Sequence, residues 1–312
     1  MEYTIIDVFD KSYILCDQIQ KRVHERASYE VLCAEVFPGL SFEKWYQAGY
    51  WDGKLFNPTV LMDGDRIVSA VSVNKMYLKT GNNTSRMFIQ LGGVMTSPAY
   101  RKQGLAMTLM DKILSDWEDK CDGIFLFAND EVLDFYPKFG FKAVDEYQYK
   151  MEILADEYSE KAINLNMSNK HDVDCLLNHY KKGNPFSVIN IDNVGLLMFY
   201  CLKYNCHDVY FVDSEDAVVI AGHEGNDMVV YDIFCDAGRN MRNILTAVAD
   251  ENTRTVYFGF PLNKAKGCKL GRYEEEDNTL FVLNSSSSES LAEFLQMPEL
   301  KNKIMFPLLG HS

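Results

Sequence analysis

Gly92-Gly93-Val94-Met95-Thr96-Ser97-Pro98-Ala99-Tyr100-Arg101-Lys102-Gln103-Gly104-Leu105-Ala106 joins an apolar run to a helical stripe. The apolar run from Met87 to Met95 predicts a strand, and Pro98 ends it. Beyond it Leu105, Ala106, Leu109, Met110, Ile113, Leu114 and Trp117 recur at the spacing of a buried helical stripe. Between strand and helix lies Arg101-x-x-Gly104-x-Ala106, with no capping side chain where the helix begins. The first turn of a helix has unpaired N–H groups and a partial positive charge, which makes it an anion site. Gly104 and Ala106 keep side chains out of the way, so a phosphate can reach the backbone. A tight strand-to-helix turn without a ligand is the plainer reading of the same residues.

Upstream, Pro58 to Met62 and Ile67 to Tyr77 flank Asp63-Gly64-Asp65, a hairpin signal. Residues 3–8 predict a first strand, and 12–26 and 29–37 predict two helices, with Leu15, Ile19 and Val23 at helical spacing. The aromatic run from Phe42 to Asp52 follows. Its Trp45, Tyr46, Tyr50 and Trp51 suit either an amine pocket, by stacking and cation–π attraction, or a core patch under a loop. Downstream, Gly123 to Phe127 reads as a short buried strand. Asp130 caps a helix that Pro137 keeps short and Gly140 ends, and strands at 141–145 and 147–153 close the unit.

Polar residues over 155–170 predict a linker. Helices at 168–181 and 193–203, strands at 209–212, 217–221 and 228–234, a helix at 240–249 and a strand at 255–260 then repeat the earlier order, without a Gly-rich loop. Laying Arg101 on Arg239 puts Arg242 on Gly104 and Ile244 on Ala106. An arginine where the backbone must approach a phosphate blocks it. The second half is therefore either a copy that lost its site or an unrelated α+β domain. Ser285 to Ser288 predicts a surface loop, 289–295 a short helix, and the apolar end, 304–312, a docked segment.

A chain of 312 residues, 47% hydrophobic, suffices for about two packed domains. No apolar run approaches the ~20 residues of a membrane span, and the start lacks a signal-peptide pattern, so a cytoplasmic protein with no membrane partner is expected. The eight cysteines form no Cys-x-x-Cys pair and no ligand spacing, which predicts reduced packing thiols and no metal. A formal charge of −14 argues against nucleic acid and suits a cationic small-molecule or peptide amine. His171, His179, His207, His223 and His311 show no pairing pattern and read as surface or packing residues.

Arg101, Gly104 and Ala106 sit on the Arg/Gln-x-x-Gly-x-Gly/Ala pattern, and the stretch resembles the acetyl-CoA pyrophosphate loop of the GCN5-related N-acetyltransferases (GNAT). Gly92-Gly93-Val94-x-Thr96-x-Pro98-x-Tyr100-Arg101 resembles the enhanced-intracellular-survival type, here without its sterol-carrier-like third region. Phe135-Tyr136-x-Lys138-x-Gly140-Phe141 resembles the superfamily again. The resemblance implies an α+β fold of two GNAT-like domains, 1–155 and a degenerate 168–312, each a mixed, mostly antiparallel twisted sheet flanked by helices. It implies acetyl-CoA as acyl donor, held by Val94, Met95, Thr96, Arg101, Lys102, Gln103, Gly104, Leu105, Ala106, Met107 and Asn129. A strand N–H near Met95 would polarise the carbonyl, and Tyr136 would protonate the departing thiolate.

Trp45, Tyr46, Tyr50, Trp51, Asp52 and Ser312 are the candidate acceptor wall. Asp52 or Glu43 through water, the terminal carboxylate, or no base at all could serve the amine. The expected activity is N-acetyl transfer to a primary amine. The other readings are a non-catalytic acetyl-CoA-binding sensor or scaffold, and an aminoacyl transferase of the peptidoglycan-bridge type, which the acidic charge disfavours. Homo-oligomer formation is left open.

Overall fold

The computed structural model describes residues 3–80, 85–153, 160–283 and 305–311. The expected serine loop, the helix at 289–295 and Ser312 lie outside the described residues. β1 (Thr4–Val8) and β2 (Lys11–Cys16) open a first sheet as a hairpin, and a helical turn at Ile19–Lys21 leads into α1 (Val23–Val36) and α2 (Glu43–Gln47). The expected helix over 12–26 is thus a strand in its first part. Lys11–Cys16 pairs with β1 on one side, and Ile14–Cys16 with the next strand on the other, and this pairing overrides the helical spacing of Leu15 and Ile19. The two expected helices merge into one, α1.

β3 (Phe56–Asp63) and β4 (Arg66–Thr80) form the expected hairpin, with Asp63 opposite Arg66 and Gly64 in the left-handed region at φ 59°. β5 (Ser85–Thr96) pairs antiparallel with β4 and parallel with β6 (Gly123–Ala128). α3 (Leu105–Trp117) makes the crossover between β5 and β6, as a parallel pair requires.

β7 (Lys142–Ala143) and β8 (Glu146–Glu152) come next, then β9 (Ile163–Asn164), α4 (Lys170–Tyr180), β10 (Ile189–Asp192) and α5 (Val194–Lys203). β11 (Val209–Val212), β12 (Ala217–Glu224), β13 (Asp227–Phe234), α6 (Met241–Val248) and β14 (Thr255–Phe258) repeat the β4-β5-α3-β6 pattern, with β13 and β14 again parallel. β15 (Lys269–Tyr273) and β16 (Thr279–Leu283) complete the described strands.

Among the described residues the first sheet runs β1-β2-β3-β4-β5-β6-β16-β7, with β10 on the far end of β4, and the second runs β15-β8-β14-β13-β12-β11-β9. The halves exchange strands. β8, expected to close the first sheet, pairs with β14 and β15 in the second, while β16 pairs with β6 and β7 in the first. The fold is α+β, built of two mixed, mostly antiparallel GNAT-like sheets.

Side chains alternate across the first sheet. Val71, Val73, Ile89, Leu91, Ile124 and Leu126 pack on one face against Leu105, Leu109, Met110 and Ile113 of α3. Met76, Leu78, Phe88 and Phe125 pack on the other against α1, α5 and Phe306 of the segment 305–311. Beneath that face a second aromatic cluster joins Phe42, Trp45, Trp51, Phe56 and Phe199 with ring centroids 5.3–6.0 Å apart.

Candidate active site

The ladder between β5 and β6 ends at Leu91 opposite Leu126, and beyond it the two strands part. β5 also carries a bulge there. Ala70 faces Met95 but Ser72 faces Gly92, so Gly93 and Val94 stand opposite Val71 alone, with Gly93 at φ 53°. A cleft of about 1920 Å³ runs through this fork, with Gly92, Gly93, Val94 and Thr96 on one arm and Phe127 and Asn129 on the other.

The floor on the α3 side is the loop ahead of that helix. Lys102 and Gly104 take left-handed backbone, φ 62° and 79°, and both line the cleft. No side chain caps α3, whose first bond is Thr108 N–H to Gly104 O at 2.9 Å. A Cβ on Gly104 would meet Phe9 Cε2 at 2.8 Å, a contact the exposed Phe9 ring can relieve, so glycine is favoured here by its left-handed conformation. Gln103 braces the loop from outside, donating to Ala99 O at 3.1 Å, and Arg101 Nε donates to Thr96 O at 3.3 Å.

Val94, Thr96, Arg101, Lys102, Gly104, Leu105, Ala106, Met107, Asn129 and Tyr136 all line this one cleft. Met95 and Gln103 do not. The bulge turns Met95 into the core, 1% exposed, and its carbonyl accepts from Ser69 Oγ at 2.9 Å. Asn129 Nδ2 donates to Asp277 Oδ2 at 2.7 Å, and the other carboxylate oxygen holds Asp130 N–H at the same distance. Tyr136 opens a helical turn, Tyr136–Phe139, that Gly140 ends at φ 88°. Its ring packs among Phe135, Phe141 and Phe281, and burial pushes its phenol up to about 12, which keeps it protonated.

The acceptor-wall candidates divide. Trp45 and Tyr50 line the cleft, beside Phe42, Phe199 and Tyr200. Trp45 Nε1 donates to Gly195 O at 2.7 Å, tying α2 to α5. Tyr46 lies under the Arg26 guanidinium at 3.7 Å, Trp51 is core, and Asp52 accepts the N–H groups of Lys54 and Leu55 as a turn residue. Glu43 lies 3.7 Å from Arg26.

Sequence reading misses four features of the far wall. Phe9, 83% exposed, stands beside the loop glycine. Asn193, the cap of α5, donates to Asn74 at 2.9 Å, Asn74 to Gln90 at 3.3 Å, and Gln90 to Gly310 O at 2.8 Å, a buried amide chain from α5 to the segment 305–311. Glu146 of β8 accepts Phe306 N–H at 2.6 Å, and burial raises its carboxyl. Glu275 accepts from Tyr273 at 3.0 Å and Asn278 at 2.6 Å, and its pairing with the His311 ring and these donors lower it to about 2. Phe9, the amide chain, Glu146 and the Glu275–His311 pair all join residues remote in the chain, and no local pattern marks them.

The matching position of the second half is closed. Asn240 caps α6 by accepting Arg242 and Asn243 N–H groups at 3.0 and 3.4 Å. The buried Glu215 carboxylate takes Asn240 N–H at 2.9 Å and Asn243 Nδ2 at 2.7 Å, so a protein anion already fills the place of a phosphate.

Residues 40–144 match the family model of the acetyltransferase (GNAT) domain. No curated protein matches the chain by sequence. Among solved structures, the fold is similar to a probable N-acyltransferase from Enterococcus faecalis, 11% identical over 92% of this chain and 74% of that one, TM-score 0.60. It is similar also to Eis1 from Mycobacterium abscessus, 11% identical over 85% and 72%, TM-score 0.55. A GCN5-related N-acetyltransferase from Kribbella flavida is 13% identical over 91% and 73%, TM-score 0.53. At these identities the likeness is one of fold.

Proposed function

Because residues 40–144 match the GNAT acetyltransferase domain, we propose that this chain moves an acetyl group from acetyl-CoA to a primary amine by direct attack. The observation that carries this reading is the uncapped α3 N-terminus, with Lys102 and Gly104 in left-handed backbone, opening into the same cleft as Tyr136. The unit over 1–155 binds the donor, and the unit over 168–312 supplies walls without a site of its own.

The stretch over 102–107 holds the pyrophosphate, with Arg101, Lys102 and Lys138 as cations at the cleft rim. The bulge at Gly93–Val94 presents backbone toward the fork, where a strand N–H would face the developing oxyanion. Tyr136 gives its proton to the sulfur as the C–S bond breaks. The acceptor is a small-molecule or peptide amine, entering between Phe42, Trp45, Phe199 and Tyr200. Five acidic residues at the rim, Asp130, Glu131, Glu275, Glu276 and Asp277, favour an amine that carries charge.

Calorimetric titration of acetyl-CoA into the wild-type protein and Gly104→Arg tests the reading. Binding lost in the variant supports it, and equal binding in both would remove the loop from the site. A protein that binds acetyl-CoA but releases no CoA with any amine would be a sensor and no transferase.

A further inference from the structure

We infer that His311 is the base that takes the proton of the acceptor amine, with Glu275 as its positioning residue, an inference that rests on the acetyl-transfer reading above. The sequence alone reads His311 as a packing histidine. In the fold it lines the cleft, with its ring stacked on Phe127 at a centroid distance of 3.9 Å and planes 24° apart. Phe127 is the first β6 residue past the last rung of the β5–β6 ladder. The imidazole therefore stands at the mouth of the fork. It lies on the sheet face that Phe125 shares with α1 and α5, opposite the face that carries α3.

The ring is held for one nitrogen to exchange a proton. Nε2 faces Phe306 O at 3.3 Å, a carbonyl that can only accept, so Nε2 carries a hydrogen. Nδ1 lies 3.2 Å from Asn278 Nδ2 and 3.5 Å from Glu275 Oε2. With Nδ1 unprotonated, its lone pair accepts from the Asn278 amide. With Nδ1 protonated, the new cation faces the Glu275 carboxylate. Both states have a partner, which a buried base requires.

The groups facing the ring are Glu275 from the 274–278 loop and Glu146 from β8, both carboxylates, while the phenols of Tyr273, Tyr200 and Tyr231 surround Glu275. The docked segment cannot drift, because Gln90 holds Gly310 O and Leu308 N–H donates to Gly259 O at 2.8 Å.

In the step, R–NH3+ takes the place of the Asn278 amide at His311 Nδ1, Asn278 keeping its bond to Glu275 at 2.6 Å; it gives one proton to Nδ1, and the freed amine lone pair forms the C–N bond. The C–S bond breaks, Tyr136 protonates the thiolate, and the second nitrogen proton returns to Tyr136 through water. His311 releases its proton to solvent, so the sum is ammonium plus thioester giving amide, thiol and one proton.

The test compares wild type, His311→Gln and Glu275→Gln in CoA-thiol release from acetyl-CoA. The acceptors are alkyl diamines and lysyl peptides, protonated at neutral pH, and hydroxylamine, which is already neutral. Gln keeps a donor toward Phe306 O and removes the exchangeable lone pair. Expected for His311→Gln is a kcat loss of about 10²–10⁴-fold with the protonated amine, a much smaller loss with hydroxylamine, and no acid limb in kcat. Calorimetric affinity for acetyl-CoA should be unchanged. Glu275→Gln should lower kcat with the protonated amine by about tenfold or more and spare hydroxylamine, since it removes the carboxylate that faces Nδ1.

Equal losses with both acceptors, or a retained acid limb, would overturn the assignment. If acetyl-CoA affinity also falls in His311→Gln, Glu275→Gln decides, and equal losses with both acceptors in that variant overturn it. Wild type that binds acetyl-CoA but acetylates no amine would instead overturn the transfer reading, and the base with it.

Discussion

At the scale of single residues, Gly104 is legible because its requirement is local: a left-handed backbone at a helix start asks for glycine in any context. That Phe9 presses on it from the β1–β2 turn is not legible, since the contact joins residues far apart in the chain. Met95 shows the opposite failure. The Met95 side chain is core, as apolar residues of that strand should be, but the bulge at Gly93–Val94 reverses the count at period two and puts it on the face opposite Ile89 and Leu91. Tyr136→Phe should lower kcat by about 10–10³-fold with unchanged acetyl-CoA affinity, the loss of one proton donor. Steady-state rates beside calorimetry check it, and full activity would take Tyr136 out of the reaction.

Asp232 offers a residue-scale test of stability. Burial raises its carboxyl to about 7, although Asn184 Nδ2 at 2.6 Å and Ile233 N–H at 2.9 Å bond to it. A raised carboxyl binds its proton more tightly when folded, so stability is greatest below the unfolded value of 3.8 and falls until pH passes about 7. Asp232→Asn should therefore raise the melting temperature at pH 8 and change it little near pH 4. Thermal melts at the two pH values check this, and an equal change at both would refute the linkage.

Among elements, long and strongly patterned ones are visible in advance. The β3–β4 hairpin, β5, α3, α5 and α6 fall close to where apolar periodicity puts them, because each buries a face that its own sequence displays. β10, β15 and β16 are four or five residues long and owe their existence to partners elsewhere in the chain. The Lys11–Cys16 strand was hidden under helix-like spacing for the same reason.

The contrast between α3 and α6 is an element-scale cause of an asymmetric molecule: one helix start is bare, the other has Asn240 and Glu215 bonded across it. α5 gives the prediction at this scale. Asn193 both caps the helix, accepting Leu196 N–H at 2.9 Å, and donates to Asn74. Asn193→Ala should cost about 1–3 kcal/mol in denaturant unfolding, more than an exposed cap, because it also orphans a buried amide. A cost below half a unit would mean the amide chain is not coupled to folding.

For the whole molecule, the order of elements foretold two GNAT-like sheets. What no local signal foretold is the exchange of β8 and β16. Each sits on the outer side of the parallel pair in the other half's sheet, β16 on β6 and β8 on β14. Residues 1–155 expressed alone should therefore lack the strand that covers β6, and should melt non-cooperatively or aggregate. Adding 160–312 in trans should restore a cooperative melt. A fragment 1–155 with a sharp melt of its own would show that β16 is dispensable.

The exchange also sets a timetable. While the chain is still being made, β6 waits with one edge bare until residue 283 has left the ribosome, and β8 waits for β14. The second sheet has all its described strands once residue 273 is out, so the first half is the last to be finished, and a chain stopped short of residue 279 leaves β6 with its edge bare.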